Sequence, residues 1–162
     1  MLDLIDTPSP NFDERALPVS IVVLHYTGMA DAASAIARLC QPGSGVSCHY
    51  LVAEDGQILR MVPEDKRAWH AGQSYWRGLH GVNGASIGIE IVNPGHEFGY
   101  RPFPDEQMAS VIPLIADINE RHGIGRGDVV GHSDVAPSRK EDPGELFPWW
   151  ELAKRRLALP SP

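Results

Sequence analysis

Ser86-Ile87-Gly88-Ile89-Glu90-Ile91-Val92 alternates between branched apolar residues and small or polar ones. Successive side chains on a strand point to opposite faces. Ile87, Ile89 and Ile91 therefore share one face, and Ser86, Gly88 and Glu90 share the other. The isoleucine face is suited to a core. The other face places a carboxylate next to an open space, because Gly88 has no side chain. A glycine inside a strand often marks the close approach of a ligand or another backbone, and a carboxylate buried there is costly unless paired. Glu90 reads either as a general base over a cavity or as a solvent-facing strand residue.

Working outward, Ser20-Ile21-Val22-Val23-Leu24-His25 is a continuous apolar run. It predicts a buried central strand that ends on a histidine. Ser47 to Ala53 and Gln57 to Val62 flank Asp55-Gly56, which predicts a hairpin. Asp128 to His132 reads as a further short strand, again ending on histidine. Asp31 can N-cap a helix running to Leu39. Asp105 to His122 carries Met108, Val111, Ile112, Ile115 and Ile118 on one helical stripe. Gly123 should stop that helix and Pro113 should bend it. Pro148 opens a last helix to Leu157. Residues 1–18 are expected to wrap the surface, and Asp65 to Gly84 shows no period. Strands interleaved with helices give an α/β class: a single domain over 1–162, core about 7–158, with a central mixed β-sheet flanked by helices.

The 162 residues carry 14 Lys and Arg against 21 Asp and Glu, a formal charge of −7. That argues against nucleic acid, which calls for a basic surface. No apolar run approaches the roughly 20 residues of a membrane span. The first residues, Met1-Leu2-Asp3-Leu4-Ile5-Asp6, show no basic and apolar leader. The expectation is a cytoplasmic protein, with a periplasmic location left open. Cys40 and Cys48 read as reduced thiols, though their spacing also permits a disulfide.

The chemistry gathers at the strand ends, where ligands collect in α/β sheets. His25 and His132 each close an apolar strand, and Asp142 follows His132 across a loop stiffened by Pro137 and Pro143. Two imidazoles and a carboxylate make three protein ligands. A catalytic zinc site uses that number when its fourth position is kept for water. Spacing alone leaves both a metal site and structural histidines open. Lys140 precedes Asp142 by two residues, so in an extended loop both would project to one side. It is a candidate for holding an oxyanion, or an ordinary surface lysine. His70, Trp76 and Arg77 are candidates for lining a substrate groove; His49 is expected to pack within a strand.

These segments resemble the zinc-dependent type-2 N-acetylmuramoyl-L-alanine amidases, which share a fold with peptidoglycan recognition proteins and T7-type lysozyme. The matching segments are 9–15, 23–26, 47–50, 68–72, 83–90 and 131–144, in family order. The resemblance implies Zn2+ held by His25, His132 and Asp142, with Glu90 and Lys140 catalytic. Asp142, where recognition proteins and phage lysozymes usually carry cysteine, points to the AmpD/AmiD branch. The implied reaction is hydrolysis of the amide between the lactyl group of N-acetylmuramic acid, or its 1,6-anhydro form, and L-alanine of the stem peptide. Peptidoglycan fragments or muropeptides are the implied binding partners, and no partner protein is implied. The alternatives are a non-catalytic peptidoglycan-binding module and a phage or secreted wall lysin. A zinc peptidase of another kind has little support, since no His-Glu-x-x-His is present.

Overall fold

The computed structural model describes residues 1–160. β1 (Leu4–Asp6), β2 (Phe12–Glu14) and β3 (Ile21–Tyr26) lead into helix α1 (Ala32–Cys40). Then come β4 (Tyr50–Val52), β5 (Ile58–Arg60), β6 (Lys66–Ala68), β7 (Tyr75–Trp76), β8 (Leu79–His80) and β9 (Ser86–Ile91). The remaining elements are α2 (Gly95–Phe98), α3 (Asp105–His122), β10 (Val129–Gly131), α4 (His132–Val135) and α5 (Trp149–Lys154). The main sheet has the order β1-β5-β4-β9-β3-β10. β4, β9, β3 and β10 run parallel, β5 is antiparallel to β4, and β1 is parallel to β5. The sheet is mixed, as the alternation of strands and helices predicts.

The parity of β9 organises both faces. Ile87, Ile89 and Ile91 pack with Val22 and Leu24 of β3 against Met108, Val111, Leu114, Ile115 and Ile118 of α3. Each such side chain, fully buried, contributes about 1.5–3 kcal/mol relative to exposure. Gln107, on the same helix, is buried and donates to the carbonyls of Val52 (3.0 Å) and Val92 (2.9 Å), pinning α3 to two adjacent strand ends. Pro113 falls on the exposed side of α3. The helix runs through it, because the carbonyl that loses its partner belongs to exposed Ala109. Gly123 (φ +64°) caps the helix as expected.

Four expectations change. Residues 1–18 do not merely wrap the surface: Leu4–Asp6 forms an edge strand of the main sheet, and Phe12–Glu14 pairs with β6. Asn11 and Arg15 bolt this segment down. The Asn11 Nδ2 donates to the carbonyls of Gln41 and Val46, and Arg15 donates to those of Glu64, Lys66, Gly84 and Ser86. The stretch after Asp65 holds three short strands, too brief for a periodic signal. The last strand stops at Gly131, so His132 opens a helical turn instead of closing the strand, and the final helix is shorter than expected. Cys40 and Cys48 are free thiols. Among the described residues, no helix is long and apolar enough to cross a membrane.

Candidate metal centre

Parallel pairing brings the strand ends together. In register, His25 of β3 lies opposite Glu90 of β9, and Leu24 lies opposite Gly131 of β10. His25 and Glu90 thus leave the sheet on the face away from α3, and His132 emerges one residue past Gly131 beside them. The loop from α4 returns Asp142 to the same point, with its backbone carbonyl accepting from the Ser133 N–H at 3.0 Å.

Three donor atoms converge there. The Nδ1 atoms of His25 and His132 are 2.9 Å apart, and each is 3.2 Å from the Asp142 Oδ2. All three residues are buried, and together they form a group able to hold a metal ion. The His132 Nε2 lies 3.0 Å from the Ala71 carbonyl, which can only accept, so Nε2 carries the proton and Nδ1 presents a lone pair to the centre. A lone pair facing a second imidazole and a carboxylate suits a cation.

Burial sets the charge states. Burial by itself raises the Asp142 carboxyl, but the His132 and His25 imidazoles against it outweigh burial and hold the group well below the usual carboxylate range. Burial lowers His25, opposed by its bond to Asp142. Glu90 moves the other way: burial, reinforced by the charge of Asp142, pushes it well above its ordinary value, with Lys140 opposing. Its Oε2 is buried without a hydrogen-bond partner.

His25, His70, Glu90, His132, Lys140 and Asp142 all line one cavity of about 610 Å³, which extends past Trp69 to Arg38 of α1. The structure therefore brings together the three ligand candidates, Glu90, Lys140 and His70. It does not bring Trp76 or Arg77 there. Trp76 donates its indole N–H to Asp128 at 3.0 Å, and Arg77 lies over the Trp76 ring and pairs with Asp128. They tie the β7–β8 hairpin to the turn before β10, and Trp76 borders a different cavity. His49 packs as expected: its Nδ1 accepts from the Gly88 N–H and its Nε2 reaches the Lys66 carbonyl. Sequence reasoning missed Asn83, whose side chain orders the turn carrying His70 and Ala71. Its one signal was a polar residue just before β9.

A mixed sheet with two imidazoles and a carboxylate converging at its parallel strand ends defines an α/β protein with a group able to hold one metal ion. The chain belongs to the N-acetylmuramoyl-L-alanine amidase family Amidase_2, whose model matches residues 15–145. It is 42% identical over 151 residues to the N-acetylmuramoyl-L-alanine amidase AmiD of Escherichia coli, covering 86% of this chain and 54% of AmiD. It is 35% identical to the 1,6-anhydro-N-acetylmuramyl-L-alanine amidase AmpD of Enterobacter cloacae, over 92% of this chain and 88% of that protein. The solved E. coli AmiD in complex with anhydro-N-acetylmuramic acid-L-Ala-D-γ-Glu-L-Lys superimposes with a TM-score of 0.79 at 41% identity, over 86% of this chain and 58% of AmiD. The chain thus spans about half the length of AmiD.

Proposed function

We propose that the protein is a zinc-dependent amidase that cleaves the bond between the lactyl group of N-acetylmuramic acid, or its 1,6-anhydro form, and L-alanine. The observation that carries this reading is the unpartnered, buried Oε2 of Glu90 beside the three converging donors. The donor set suits zinc. Ligands at about 2.0–2.1 Å in a tetrahedral site lie about 3.3 Å from one another, close to the 2.9–3.2 Å found here. Three protein ligands leave a fourth position for water or substrate. The AmiD complex with an anhydromuramyl peptide supports the same substrate class for this cavity.

Zinc held by His25, His132 and Asp142 would supply Lewis acidity, able to polarise an amide carbonyl and acidify a water. Glu90 is the base that takes the proton of the attacking water, and its raised affinity for protons suits it to hold that proton and pass it to the departing alanine nitrogen. Lys140 places a positive charge over the same cavity, where it stabilises the carbonyl oxygen as that oxygen becomes anionic. The neighbouring imidazoles keep Asp142 ionised and burial keeps His25 neutral, the forms a metal needs.

The physiological substrate on this reading is a soluble anhydro-muropeptide met in the cytoplasm during wall recycling. Mass spectrometry of products from purified anhydro-muropeptides and from whole sacculi, side by side, tests it. Free stem peptide from the muropeptide is the expected product; release from sacculi alone would overturn the recycling role. Glu90→Gln should keep about one zinc per chain and lose about 10²–10⁴ in rate. Normal turnover by that variant would remove Glu90 from the mechanism.

A further inference from the structure

Both imidazoles at the centre have a second nitrogen, and both of those nitrogens lead to one turn. The His25 Nε2 lies 2.9 Å from the His70 Nδ1, and the His132 Nε2 lies 3.0 Å from the carbonyl of the next residue, Ala71. These partners are 45 and 61 residues away in sequence from the histidines they meet. A single amide oxygen fixes the pair: the Asn83 Oδ1 accepts from the His70 N–H at 3.2 Å and the Ala71 N–H at 2.9 Å.

We propose that the Trp69–Gly72 turn positions the zinc ligands, with His70 orienting His25 and Asn83 holding the turn in register. This rests on the reading that His25, His132 and Asp142 bind the ion. A metal-bound imidazole donates its remaining N–H to an acceptor, which fixes ring orientation and raises the basicity of the ligand. With the His25 Nδ1 on the metal side, Nε2–H donates and the His70 Nδ1 must accept. The proton of His70 then sits on Nε2, which meets the Ser86 Oγ at 3.0 Å. Ser86 is fully buried and His70 nearly so. The His70 ring lies directly over Gly88, where any β-carbon would overlap it. The gap in β9 is thus filled by a positioning residue and not by substrate, and Ser86, Gly88 and Glu90 form one face with successive tasks: anchoring His70, admitting its ring, and moving a proton.

A purely space-filling His70 and a positioning His70 respond differently to substitution. His70→Phe keeps the ring volume and removes the acceptor; His70→Asn loses volume and keeps an acceptor near the Nδ1 position. Zinc affinity is read by competition with a chromogenic chelator, and the fold by thermal melting of the metal-free proteins. His70→Phe should bind zinc about 10–100-fold more weakly, and His70→Asn should recover part of that loss. His70→Phe binding within about twofold of the parent, or binding better than His70→Asn, overturns the proposal. If neither variant folds, the zinc-loaded parent labelled with ¹⁵N decides. A scalar coupling across the His25 Nε2–H to the His70 Nδ1 is expected; a protonated His70 Nδ1 overturns it. A parent chain that binds no zinc overturns this proposal and the amidase reading together, whereas an unaffected His70→Phe overturns this proposal alone.

Discussion

Lys140 shows how much one side chain can do without being buried. It is exposed, yet it lines the cavity of the centre and its charge reaches both Glu90 and His25. An ammonium that stabilises only the transition state should affect kcat far more than metal content. Lys140→Ala is expected to lose about 10²–10³ in kcat, with zinc still bound at one per chain. A rate within error of the parent would return Lys140 to the surface. At this scale the sequence was highly informative. His25, Glu90 and His132 were legible because strand ends and strand parity predict where side chains point. Trp76 and Arg77 lie away from the cavity of the three donors, and the sequence does not reveal this because aromatic and basic residues in an aperiodic stretch carry no directional signal. Their partner, Asp128, is 52 residues away from Trp76, and only the fold reveals it. Asn83 was hidden for the same reason.

At the scale of elements, α3 is fastened at both ends. Gln107 pins its start, and Glu64, in the segment after β5, ties its end. Burial would raise the Glu64 carboxyl, but hydrogen bonds from Arg121, His122 and Tyr50 outweigh it and bring the group down to about 2. A carboxylate with a depressed folded pKa adds stability above its unfolded value, near 4.3, and loses it as pH falls toward 2. Glu64→Gln should therefore lose about 1–3 kcal/mol at neutral pH. The difference should shrink through pH 4 and vanish near 2 in urea titrations; a pH-independent difference would mean that charge is not what holds this end. The helix itself was readable from its stripe and its terminal glycine. The short strands β1, β2 and β6 were not, because three residues are too few to establish an alternation. The side chains that anchor the β1–β2 segment, Asn11 and Arg15, reach carbonyls far away in sequence.

For the whole molecule, acid should act in a second window. His49 is fully buried, and burial, with the Arg15 guanidinium nearby, lowers it to about 4. Protonating its Nδ1 would also break the bond from the Gly88 N–H. Between pH 6.5 and 4 the unfolded chain binds this proton and the folded chain does not, so stability falls as pH falls through that range. Denaturant midpoints of the metal-free protein at pH 7 and pH 4.5 should differ in that direction, and His49→Gln should reduce the difference, with buried His25 and His70, lowered in the same way, accounting for what remains. Zinc adds to the folded state by mass action. At 100 times its Kd it should contribute about 2.7 kcal/mol, seen as a higher Tm that chelator reverses.

Among the described residues, β10 is an edge strand of three residues paired only with β3. His132 follows it directly, so on the proposed reading this outer attachment of the parallel part of the sheet also carries one of the three metal ligands. Local openings of a sheet begin where pairing is least. Each time this edge separated, a bound ion would lose a ligand. How long zinc stays bound would then be governed by how often one short strand breathes.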